Sequence, residues 1–99
     1  MATYLELAKI TEQALWGDFI DKIKAACVIK ATAIIDSATP TVEAKAWAEF
    51  AINAPTSAAS SIVWYVIGSN DGLAISTILN ASDSAIQTNV NAAVDVLYP

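Results

Sequence analysis

Ninety-nine residues make one ordinary domain, and a chain this short leaves much of its surface exposed even when folded. Apolar residues are 56% of it and the mean hydropathy is +0.49, against about 45–50% apolar in average soluble domains, so some apolar surface is expected to remain uncovered. Ten acids, five lysines and no arginine or histidine give a net charge of −5. That composition speaks against a phosphate-reading surface and removes the commonest general base and metal ligand.

The chain predicts a single all-α domain over residues 1–99, a compact bundle of about five to six short helices. Thr3 and Glu6 form a capping box ahead of Tyr4, Leu7, Ala8, Thr11, Ala14 and Leu15, which recur at helical spacing. Gly17 fits a helix C-cap, so this first helix is expected to end near Trp16. Asp18 then suits the N-cap of a second helix, with Asp21 in its first turn. Phe19, Ile20, Ile23, Ala26, Cys27, Ala31, Ile34 and Ile35 mark that helix's apolar stripe to about Ser37.

Thr39-Pro40 reads as the next start, because proline at the first helical position presets φ and gives up no needed hydrogen bond. Glu43 follows at the positive end of the helix dipole, and Val42, Ala46, Trp47, Phe50, Ala51 and Ala54 carry the apolar spacing. Pro55 interrupts it, since the residue before proline avoids the α region. Residues 57–68 are ambiguous: the run from Ile62 to Ile67 has high β propensity and no polar face. A helix is preferred over a strand because no second run of similar character offers a pairing partner, and a lone strand leaves its backbone groups unpaired.

Gly68, Ser69, Asn70, Asp71 and Gly72 predict a turn. A short helix is expected around Leu73 to Leu79. Ser82 then caps a last helix with Asp83 in its first turn, and Ile86, Val90, Ala93, Val94 and Leu97 lie along one stripe opposite Gln87, Asn91 and Asp95.

All five lysines fall within the first 45 residues, and beyond Lys45 the charged side chains are Glu49, Asp71, Asp83 and Asp95. The polar faces of that half must be built from Ser, Thr, Asn and Gln, which suits a partly covered surface. The chain's twenty alanines sit on a surface at little cost, but its bulky residues do not. Trp47, Phe50, Trp64, Tyr65 and Tyr98 are therefore the candidate interface residues, each weighed against plain core packing.

Chemistry is sparse. Cys27, the single cysteine, lies on an apolar stripe and reads as a small buried hydrophobe with no histidine to activate it. One cysteine also excludes an intrachain disulfide. Asp18 and Asp21 stand where helix caps belong, and residues 69–72 lack the spaced acids and closing glutamate of a calcium loop. No catalytic residue, cofactor site or metal site is expected, and the chain is not expected to be an enzyme. The N-terminus lacks the basic start and apolar run of a signal peptide. The longest apolar run, six residues from Ile62, is far below the roughly 20 that span a bilayer, so no membrane role is expected.

Three stretches carry a resemblance: the opening Ala-Thr-Tyr-Leu-Glu-Leu from Ala2 to Leu7, Ala46-Trp47-Ala48 in the alanine-rich middle, and Ser82 to Gln87 with Ala92 to Asp95 at the close. In these and in layout the chain is similar to the small helical proteins encoded among the capsid and neck genes of tailed bacteriophages. The resemblance implies a virion structural protein, made in the host cytoplasm and assembled into a ring as a head-tail connector of the neck. Its partners would be copies of itself and portal, capsid or tail components. Glu49, Asp71, Asp83 and Asp95 would then be candidates for an acidic lumen or outer face, where negative charge lets DNA slide. A capsid decoration or minor head protein is the main alternative. An acidic inhibitor or antitoxin-like binding protein is a further one, although ten acids against five lysines is mild for a mimic of DNA.

Overall fold

In the computed structural model residues 4–70 and 72–99 are described, with side chains from Leu15 onward apart from Ile75 and Ser76. Every element among them is a helix: α1 (Tyr4–Asp36), α2 (Val42–Asn53), α3 (Pro55–Ser69), α4 (Ile75–Leu79) and α5 (Asp83–Leu97). The anticipated cap at Thr3 lies outside the described residues. So do the side chains of the first apolar positions, up to Ala14.

The expected break at Gly17 does not occur, and α1 runs unbroken through it for 33 residues. A glycine inside a helix costs about 1 kcal/mol relative to alanine. The apolar stripe does not pause there: Leu15 and Trp16 pack against the core on one side of Gly17, and Phe19 and Ile23 are fully buried on the other. Burying either of those two contributes about 1.5–3 kcal/mol, enough to hold the glycine in the helix. Asp18 is consequently an exposed mid-helix residue and caps nothing.

The second start also shifts. Thr41, two residues beyond the expected Thr39, is the N-cap of α2, and its Oγ1 accepts the Ala44 N–H at 3.1 Å. The same hydroxyl donates to the main-chain oxygen of Pro99 at 2.8 Å, tying the chain's last residue to the start of α2. Ala54 alone separates α2 from α3. Its N–H closes α2 on the Phe50 carbonyl at 2.8 Å, and Pro55 opens α3. Residues 57–68 are therefore helical, with Ala58, Ala59, Ile62, Val63 and Val66 buried at spacings of one, three and four. Gly72 has φ +92, the left-handed geometry that favours glycine at the end of this turn. Ser82 caps α5 as expected, accepting the Ala85 N–H at 3.2 Å.

α1 is the central element and packs against all four other helices, while α3 also meets α2 and α5. Among the described residues, seven of the nineteen buried apolar ones are alanines, small enough to let helix backbones approach closely around Phe19, Ile23, Trp47, Ile62 and Ile86. Three polar struts tie α1 to α5 and to the connection just before it. The Lys22 ammonium donates to the Ala81 carbonyl at 3.2 Å, the Gln87 amide to the Ala26 carbonyl at 3.1 Å, and Lys30 pairs with Asp95 at 2.9 Å. Residues 22, 26 and 30 share one ridge of α1, so α5 is registered against α1 by polar contacts as well as by its apolar stripe.

The bundle is elongated, 57 × 28 × 18 Å, with a radius of gyration of 15.2 Å against about 13 Å for a compact domain of 100 residues. Its accessible surface is 6105 Å², while a compact monomer of 10.4 kDa exposes about 5,400 Å².

Candidate interaction surfaces

The five interface candidates separate. Trp47 belongs to the core: it is 3% exposed and stacks on Tyr98, with ring centroids 5.9 Å apart and planes 26° off parallel. The α2 spacing that placed Trp47 beside Phe50 is three residues, about 60° around the helix, enough to turn one ring inward and leave the other 45% exposed. Tyr98 is half-buried by the same stacking, fixed further by its N–H bond to the Val94 carbonyl. Burial leaves the Trp47 indole Nε1 without a hydrogen-bond partner.

On α3 the two adjacent aromatics part as helix geometry requires, about 100° apart. Tyr65 leans against the core, and Trp64 stands 72% exposed. Trp64 is flanked along its face by exposed Ser57, Ser60, Ser61 and Gly68, and α3 carries no charged side chain at all. A large apolar ring is thus presented on a neutral face made otherwise of small groups. The core-packed alternative for Trp64 does not hold in this fold.

Exposed apolar residues gather elsewhere too. Val42 (86%), Val96 (61%) and Leu97 (42%) lie at the end of the bundle that the Thr41–Pro99 hydrogen bond closes. Between α1 and α5 runs an open groove of 480 Å³ with Ala25, Ala26 and Ile29 as its apolar floor and Asp21, Asp83 and Ser84 on its rim. Ile29 is 60% exposed there. A smaller cavity of 210 Å³ lies beneath the turn before α4, bounded by Phe19, Val66, Leu73 and Ile86. Nothing in the residue pattern foretold the α1–α5 groove, because Ile29 falls off the stripe defined by Ile23, Cys27 and Ala31, and a single off-stripe isoleucine is ordinary.

Three of the four acids of the candidate lumen or outer face are described, and they stand on separate parts of the bundle. Glu49 is exposed on α2, Asp71 lies outside the described residues, and Asp83 and Asp95 stand at opposite ends of α5, about 18 Å apart along its axis. Asp95 is committed to Lys30, and Asp83 sits in the first turn of α5 on the groove rim.

Cys27 is fully buried, and desolvation pushes its thiol up to about 11. Among the described residues no group of three or more His, Cys, Asp or Glu side chains is placed to hold a metal ion, and no helix is long and apolar enough to cross a membrane. The chain matches no protein-family model, no curated protein and no solved structure.

Proposed function

We propose that this chain is a non-catalytic structural subunit of a tailed-phage virion, a head-tail connector of the neck that assembles with its own copies into a ring. The observation that carries the assembly half of this reading is the folded chain's uncovered apolar surface, with Trp64, Ile29, Val42 and Val96 each more than half exposed. A stable interface takes about 800 Å² from each partner, and this elongated bundle exposes several hundred Å² more than a compact monomer of its mass. Trp64, an exposed aromatic ring on the charge-free face of α3, matches the composition of interface centres. The phage half rests on the resemblance in residues 2–7, 46–48, 82–87 and 92–95.

Purified virions test this reading. A connector is retained in particles at few copies, in fixed ratio to the portal, and is released with the tail and neck. A copy number that scales with the capsid protein would assign the chain to the shell as a decoration or minor head protein. Absence from particles would refute a virion role and favour the acidic inhibitor reading.

A further inference from the structure

We infer that Trp64 of one copy inserts into the α1–α5 groove of the next, a head-to-tail contact that rests on the self-assembly reading above. Knob and groove are different surfaces of the subunit, the exposed side of α3 and the seam between α1 and α5. Trp64 follows the fully buried Ile62 by two residues and Ile29 follows the fully buried Cys27 by two. Trp64 therefore points about 160° away from the core-facing side of α3, while Ile29 lies three residues, about 60°, from the buried Ala26, on the edge of α1 that borders α5. A contact joining unlike faces is heterologous, and repetition of it closes into a ring or runs on as a filament.

The groove suits this occupant in size, chemistry and charge. Its 480 Å³ falls within the about 300–1,000 Å³ of sites that enclose small ligands, which accommodates an indole. The apolar floor of Ala25, Ala26 and Ile29 matches the ring faces. A buried indole N–H needs an acceptor, and the rim supplies the Asp21 and Asp83 carboxylates and the Ser84 hydroxyl. Lys22 on the same rim is held by the Ala81 carbonyl.

Two copies at −5 each repel one another, and an acidic rim would reject an acidic insert. α3 has no charge to be repelled. The groove spans residues 21–29 of α1 and the first turn of α5, about 12 Å along α1, a length that one anchoring side chain and its small neighbours can cover.

Trp64→Ala and Ile29→Glu test the contact, since both sites are exposed and both variants are expected to fold with the wild-type helical signal. Light scattering should show each variant as a monomer under conditions where the wild type assembles, with self-association weakened at least about thirtyfold by loss of a central aromatic anchor. The mixture is decisive. Trp64→Ala keeps a sound groove and Ile29→Glu a sound knob, so together they should form a 1:1 dimer that grows no further. A wild-type oligomer that survives both substitutions, or a mixture that stays monomeric, overturns this contact and leaves self-assembly standing. A wild type that is monomeric at every concentration overturns both.

Discussion

Replacing Gly17 with alanine decides whether α1 is one helix or two. In a continuous helix the glycine is a weak point, and a Cβ built there meets nothing within 4 Å. Alanine then gains its full helical advantage of about 0.8–1 kcal/mol with no steric penalty. For a domain of this length 1 kcal/mol moves the melting temperature by about 4–8 °C, so Gly17→Ala should melt several degrees higher, followed by circular dichroism at 222 nm. Urea unfolding should give a higher midpoint at unchanged slope. Were the chain to end a helix at Gly17 in left-handed geometry, as its sequence suggests, the same substitution would be strained by about 1–2 kcal/mol and the midpoint would fall. The sign alone settles the matter, and a lowered midpoint would refute the single 33-residue helix.

Other substitutions probe the remaining joints. Thr41→Ala removes both the cap of α2 and the bond to Pro99, and should cost about 1–2 kcal/mol in chemical denaturation; a neutral result would mean that the C-terminal end is not docked there. Trp47→Ala should cost about 3–5 kcal/mol. Trp47→Phe should cost much less, because losing the unpartnered N–H returns part of about 1–3 kcal/mol of desolvation penalty; equal losses would contradict an unpaired indole. Trp64→Ala, by contrast, should change the stability of the isolated fold by no more than about 0.5 kcal/mol.

Cys27 predicts a pH dependence. Its thiol titrates near 9.0 in the unfolded chain and near 11 in the folded one, so the folded state holds the proton longer. The associated stability is fully present below pH 9 and is lost as pH rises through about 11. Two units correspond to about 3 kcal/mol. Cys27→Ala should flatten the alkaline fall seen in the wild type, and identical profiles would show that the thiol is not desolvated. In the native state at neutral pH the thiol should resist alkylating reagents until the chain unfolds.

The helical class was legible because its local signals agree: a serine cap at Ser82 with an acid behind it, a break ahead of Pro55, and apolar spacings of three and four. The stripe of α5 matches its buried face at Ile86, Val90, Ala93 and Val94. Gly17 misled because a glycine flanked by an acid carries the same local signature whether it ends a helix or is carried through one, and the outcome rests on tertiary burial of Phe19 and Ile23. The α1–α5 struts were hidden for a related reason. Gln87, Asn91 and Asp95 read as a solvent face until Ala26 and Lys30 are brought opposite them, and nothing within α5 announces its neighbour.

Aromatic residues marked the apolar excess but not its direction. Spacing put Trp47 and Phe50 on one broad stripe, and only the docking of Tyr98 shows which of the two is enclosed. Trp64 was identifiable as one of an outward and inward pair with Tyr65. Which member faced out depended on the packing of α3 against α1.

The central claim is that the folded chain buries its exposed apolar faces against further copies of itself, and the mass of the purified wild-type protein in solution tests it most directly. Light scattering across a wide concentration range should show a closed oligomer whose mass reaches a plateau at a whole multiple of 10.4 kDa. A mass that stays at one chain throughout would contradict self-assembly.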